Sequence, residues 1–379
     1  MIYLDHAAAT PVSKKVLDSM LPYFSDNFFN PSAAYLPAKK VQKLYEDAKA
    51  KIAHTIGAKA PDIVITSGAT EATNLAFTSV KKKCLVLETE HVSVLAAAKC
   101  YDFETIKVDK TGLIDLKDFQ SKLSSDVDFV SISLANNELG TIQPIAEISE
   151  LIRAEKTRRL KEGITTPIYF HSDASQALNL IDINVARLGV DLLTINSAKI
   201  YGPKGVGALY VAHGVRLEPI SVGGGQENGL RSGTENVPAA IGFAAACEEA
   251  KKHLSSHRKK YENLTNLLRT ELKSCVVEPI FLGNKKHSLA NFCTLTFPGL
   301  DAERLIYKLE AKEIYVSTGA ACAASKGEKS HVLKAIGLSD EEIAGSLRLS
   351  LGELNDESQI REATNSIKQA VAEEILRKK

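Results

Sequence analysis

The sequence predicts an α/β protein: a large domain built on a mostly parallel sheet, with a smaller α+β domain beside it. Three observations carry that expectation. Short runs rich in Val, Ile and Phe alternate with longer helical stretches over the first two thirds of the chain, and such alternation implies a parallel sheet covered by helices. After about residue 236 the strands and helices become fewer and shorter. A length of 379 residues, 44% of them hydrophobic, suits two or three domains around a large core.

Strands are expected at 63–66, 84–88, 103–108, 129–134, 168–171, 192–195 and 206–211, where β-branched and apolar residues cluster between turn residues. Helical patterns at 69–80, 92–101, 116–123 and 145–161 lie between several of them. The Gly-rich stretch 197–234 reads as loops and short strands. A long helix is expected at 237–273. Strands at 275–281, 291–297, 314–317 and 346–351, helices at 302–311 and 331–336, and a charged terminal helix follow. The long helix joins the two parts, and we set the large domain at 12–250 and the small one at 1–11 plus 251–379. Ligands of open α/β sheets bind outside the carboxyl ends of the strands, so residues just past each strand are the first to search.

Composition narrows the function. Forty-seven Lys and Arg against 46 Asp and Glu leave a formal charge of +1, without the basic excess that neutralises nucleic-acid phosphates. Short runs such as Lys81-Lys82-Lys83 read as solvated surface. No apolar stretch reaches the roughly 18 residues of a membrane span. The start, Met1-Ile2-Tyr3-Leu4-Asp5-His6, resembles neither a secretory signal nor a transit peptide. Six cysteines at 84, 100, 247, 275, 293 and 322 form no CxxC pair. Their scatter suits a reducing cytoplasm, most of them being buried small hydrophobes, and no metal site is expected.

Several residues past predicted strands could carry chemistry. Lys199 follows the run 192–195 and precedes Tyr201-Gly202-Pro203-Lys204-Gly205. A lone lysine there is ordinarily solvated; the alternative is an amine that condenses with an aldehyde cofactor. Asp173 could cap the next turn or hold a protonated pyridine nitrogen. Ser67-Gly68-Ala69-Thr70-Glu71 joins a strand to a helix and suits either a plain cap or a phosphate. His91 is a strand-end histidine, a surface residue or an acid/base. Cys322 sits in a small-residue stretch, 317–327, that reads as a mobile loop, giving either a neutral loop thiol or an accessible nucleophile. Arg348 alternates with leucines and could cover apolar surface or fork onto a carboxylate.

Together and in this order, these residues resemble one family, the cysteine desulfurases of the nitrogen-fixation and iron–sulfur-assembly group. The resemblance runs from Tyr3-Leu4-Asp5-His6-Ala7-Ala8-Ala9-Thr10-Pro11 nearly to the C-terminus. It includes Asn30-Pro31-Ser32, Thr66–Glu71, Glu90-His91, Asn136-Asn137-Glu138-Leu139-Gly140, Asp173-Ala174-Ser175-Gln176, Lys199–Gly205, Gly223-Gly224-Gly225-Gln226-Glu227 and Arg231-Ser232-Gly233-Thr234-Glu235-Asn236. It implies the class V aminotransferase branch of fold-type I pyridoxal phosphate enzymes and a homodimer with sites at the subunit interface. On that resemblance Lys199 carries the cofactor, Asp173 pairs its ring nitrogen and His91 stacks on the ring. Gln176 and Asn137 contact the ring oxygen or substrate. Ala69 and Thr70 belong to the phosphate turn, helped by Thr234 from the partner subunit. Arg348 grips the substrate carboxylate. Lys199 and His91 handle protons and Cys322 accepts the sulfur. L-Cysteine would give alanine and a Cys322 persulfide, passed to an acceptor protein for iron–sulfur or thiolation chemistry.

Two departures stand out. Relatives carry Ser and His at the positions of Asn196 and Ala198, where the side chains help hold the cofactor phosphate. The Asn196 side chain can still donate a hydrogen bond and the Ala198 side chain cannot, which leaves Ser197 as a candidate replacement and predicts weaker cofactor retention. The segment 323–329 also lacks the usual Ser-rich, Glu-Pro pattern, and the tail after Arg348 is shorter than in members that dock scaffolds there, so the acceptor is open. The alternatives are a selenocysteine lyase or aminotransferase on the same fold, or a non-catalytic sulfur-assembly partner.

Overall fold

The computed structural model describes residues 1–318 and 329–378. Twelve strands lie in the described chain: β1 (Ile2–Tyr3), β2 (Ile63–Thr66), β3 (Lys83–Leu87), β4 (Asp102–Ile106), β5 (Val127–Ser131), β6 (Tyr169–Asp173), β7 (Leu192–Asn196), β8 (Gly207–Val211), β9 (Ile280–Phe281), β10 (Phe292–Thr296), β11 (Ile314–Tyr315) and β12 (Ser346–Ser350). Seven form the main sheet in the order β2-β8-β7-β6-β5-β3-β4. All neighbours there pair parallel except β8, which runs antiparallel to both β2 and β7.

Alternate side chains of these strands feed two cores, because successive strand residues point to opposite faces. Leu85, Leu87, Ile63 and Ile65 join a large core with helices Leu36–Thr55, Ile145–Lys161 and Val237–Leu272. Cys84, Val86 and Val64 face the other way, onto helices Ala69–Phe77 and Val92–Ala98. Burial on both faces explains why these strands read as continuous apolar runs rather than alternating ones.

A second core lies beyond the main sheet. β10 pairs antiparallel with β12 on one side and β9 on the other, and Leu295, Leu347 and Leu349 pack with Leu268 of the long helix and Ile367 of the terminal helix Glu357–Lys378. The N-terminus crosses to this core: β1 pairs parallel with β11, and Ile2 and Leu4 are buried there.

The elements differ from the sequence reading in instructive ways. The strand expected at 275–281 starts only at Ile280, because Pro279 has no N–H to give a ladder. The helix expected at 69–80 stops at Phe77, where the Thr78 and Ser79 hydroxyls turn back onto the Leu75 and Ala76 carbonyls. Helix Leu36–Thr55 was not anticipated, although its buried Ala38, Val41, Tyr45, Ala48 and Ile52 recur at helical spacing. Four described cysteines are buried and Cys100 is exposed.

Candidate active site

The carboxyl ends of β2, β3, β5, β6 and β7 open onto one cavity of about 400 Å³, as expected for a parallel sheet. Each strand delivers its own group: Ser67–Thr70 after β2, His91 after β3, Asn137 after β5, Asp173 at the end of β6 with Gln176 after it, and Asn196 at the end of β7 with Lys199 after it. Arg348 reaches the same cavity from β12. Thus Lys199, Asp173, Gln176, Thr70, Ala69, Asn137, Asn196, His91 and Arg348 all line one cavity.

Thr234 does not join them; it is exposed and outside this cavity's lining. Ser197 is a correction to its expected part: it is fully buried and its Oγ lies towards Gly202, where an added Cβ would sit 2.1 Å from it. It therefore replaces nothing at the cavity wall, whereas Asn196 and Ala198 both line it. Cys322 lies outside the described residues.

The turn after β2 is shaped as an anion cradle. Helix Ala69–Phe77 begins at Gly68, which has φ 151° and leaves the helix without a side-chain cap, so the first N–H groups remain open to a ligand. A Cβ on Gly68 would meet no described residue within 4 Å. Behind it, Gly207 of β8 has no room for a Cβ: Gly68 Cα, Gly68 C and Ile195 O would each be 2.9 Å away. Glycine is required there because two backbones touch.

Deeper in, Asp173 is 8% exposed and accepts a hydrogen bond from Ser175 N at 2.8 Å. Lys199 Nζ donates to the carbonyl oxygen of Ala8, and Gln176 Nε2 donates to that of Ala7 at 3.0 Å. His91 Nδ1 accepts from Ser93 N at 3.2 Å, which places the proton of the neutral ring on Nε2. Burial lowers the His91 pKa; the Asp173 charge opposes this, and Lys199 and His331 add to it. Glu71 accepts from Ser67 N at 2.7 Å and from Arg231 Nε at 3.0 Å. Burial raises its pKa, but those bonds outweigh it and the net shift is downward.

Two residues here were not assigned roles from the sequence. His331 lines the cavity and its Nε2 donates to the Glu90 carbonyl at 2.9 Å. Glu138 also lines it, accepts from Ser330 Oγ at 2.5 Å and has its pKa raised by burial. Ser330 caps helix His331–Ala335, but no spacing in the sequence points that helix at β3 and β5.

An amine, a buried carboxylate and an open helix start along one parallel-sheet edge match the needs of a phosphorylated pyridine aldehyde. Fold and site together define the class, an α/β enzyme of fold-type I. The chain belongs to the aminotransferase class-V family, whose pattern matches residues 2–362. Use of pyridoxal phosphate is a general property of that family. The chain is 40% identical over 373 residues to cysteine desulfurase IscS 1 of Archaeoglobus fulgidus, covering 95% of this chain and 94% of that one. It superposes on a NifS-like protein from Rickettsia africae with a TM-score of 0.88 at 31% identity, covering 98% and 99%. It superposes on SspA in complex with cysteine with a TM-score of 0.78 at 33% identity, covering 93% and 99%.

Among the described residues no helix is long and apolar enough to cross a membrane.

Proposed function

We propose that this protein is a cysteine desulfurase, converting L-cysteine to L-alanine and leaving the sulfur as a persulfide on Cys322 for an acceptor protein. The observation that carries the reading is the gathering of Lys199, Asp173, His91 and Arg348 on one cavity in a chain of this family. The cysteine complex of SspA supports the choice of substrate.

Pyridoxal 5'-phosphate, when bound, supplies an aldehyde for the substrate amine and an electron sink for charge at Cα. Lys199 would hold it, the Asp173 carboxylate would face its ring nitrogen, and the Ser67–Thr70 turn and Asn196 would take its phosphate. His91, Gln176 and Asn137 complete the walls.

Arg348 is the residue for the substrate carboxylate. Its Nε is buried and has no hydrogen-bond partner among the described residues, and a buried donor left unpaired favours any anion that can satisfy it. The Lys199 amine takes the α-proton as general base and returns a proton to the product. His91, neutral with its proton on Nε2, stands ready to exchange one. Overall, the C–S bond of cysteine breaks as an S–S bond to Cys322 forms, and the Cys322 thiol hydrogen is retained between persulfide and alanine.

Residues 12–250 serve as the cofactor domain and 1–11 plus 251–379 as the small domain, a division supported by the second core that buries Ile2 and Leu4 beside Leu268. The active form is a homodimer in which Thr234 serves the partner's site, supported by its exposure outside its own cavity. A cytoplasmic setting fits the scattered, mostly buried cysteines.

The test is mass spectrometry of Cys322 after cofactor-loaded protein meets L-cysteine without reductant. One added sulfur and an equivalent of alanine are expected. An unmodified Cys322 with the cofactor visibly bound would refute the desulfurase reading.

A further inference from the structure

The segment 221–235 docks against the open edge of the main sheet, beside the cavity rather than in it. β2 is one of the sheet's two edge strands. Its outward N–H, at Ile65, donates to Glu227 Oε2 at 2.8 Å. Tyr45 OH donates to the other oxygen of Glu227 at 2.5 Å, and Lys49 Nζ pairs with the carboxylate at 3.1 Å. Lys49 and Glu227 side chains are 6% and 5% exposed. Glu227 and Asn228 hold φ of 51° and 58°, strained values for residues with a Cβ that persist only where the surroundings enforce them. Asn228 Nδ2 adds a bond to Pro61 O at 3.1 Å.

Four residues past the buried Glu227, Arg231 Nε binds Glu71 Oε1 at 3.0 Å, while Glu71 Oε2 takes Ser67 N at 2.7 Å. The segment thus grips the chain before β2, on β2 and just after it. A carboxylate in the wall of an anion cradle opposes an anionic ligand by Coulomb repulsion. Its presence needs a reason, and the geometry supplies one: it is a strut between Ser67 and Arg231.

We propose that segment 221–235 is a brace for the turn Ser67–Thr70, and that Glu71 and Arg231 are its positioning residues. They hold the turn's backbone in the shape that receives the cofactor phosphate. The proposal rests on the pyridoxal phosphate reading given above.

The sign of one substitution decides it. If Glu71 acted only through its charge, Glu71→Ala would tighten phosphate binding; as a strut, its loss weakens binding. The probes are pyridoxal 5'-phosphate and pyridoxal, which differ only in the phosphate, titrated into full-length apo protein by absorbance. The brace predicts that Glu71→Ala and Arg231→Met each weaken pyridoxal 5'-phosphate about tenfold, leave pyridoxal unchanged, and do not add in the double variant. General damage would weaken both probes equally and would overturn the proposal, as would tighter phosphate-form binding by Glu71→Ala. Thermal unfolding of the apo variants reads folding separately, and Arg231→Lys, which keeps the charge, should recover part of the affinity. A wild-type protein that binds both probes equally would remove the phosphate reading itself, and the brace with it.

Discussion

Arg348 Nη2 lies 2.7 Å from Oδ1 of Asp5, a pair closed across 343 residues of sequence. Arg348 Nη1 donates to the Asn137 carbonyl at 2.9 Å. Asp5 is absent from the cavity lining while Arg348 is part of it, so the carboxylate sits behind the guanidinium and aims it. Asp5→Asn should raise KM for L-cysteine about tenfold with little change in kcat. Cysteamine, which has no carboxylate, should bind variant and wild type alike in a spectral titration. Equal losses for both compounds would show a general defect instead.

Glu90 contributes a pH dependence whose sign can be worked out. It is buried, and burial pushes its pKa from 4.5 up to about 8 despite hydrogen bonds from Ser133. The folded state therefore keeps a proton that the unfolded state has lost between those values. Stability from this group is complete below the unfolded pKa and is lost as pH rises towards about 8. At about 1.36 kcal/mol per pH unit the change is at most about 5 kcal/mol. Urea unfolding of wild type and Glu90→Gln from pH 5 to pH 8 should show a shallower loss of stability with rising pH in the variant than in the wild type.

Ala198 lines the cavity beside Lys199, and its side chain offers no donor. Ala198→His should slow cofactor release several-fold, read by the decay of cofactor absorbance after dilution. Unchanged release would remove the link between this position and weak retention.

Gly207→Ala forces a Cβ to within 2.9 Å of the Gly68 backbone. Overpacking of this kind costs about 2 kcal/mol. Because the strain falls on the anion turn, loss of cofactor affinity should accompany the lower melting temperature. A variant that melts lower yet binds as tightly would separate the two effects.

Much of the site was legible along the chain because a parallel sheet sends its ligand groups to the residues just past its strands. Lys199, Asp173 and His91 each follow an apolar run that is short and bounded. The same logic failed for Ser197, one residue from Lys199: the 3-10 turn Ser197–Lys199 sends its hydroxyl to the helix side rather than the cavity. It also missed His331, whose place depends on how helix His331–Ala335 packs and not on its own neighbours.

Local residues were enough to set the strand–helix alternation, the glycine turn at Ser67–Glu71 and the order of the chemical groups, since each depends on side chains a few positions apart. The Asp5–Arg348 pair, the Glu227 anchor on Ile65 and the Arg231–Glu71 strut arise only once the chain has folded. Their partners are 343, 162 and 160 residues apart. No local propensity encodes such distances. Burial creates these contacts, because a charged group taken out of water has to find its counterpart wherever packing brings one.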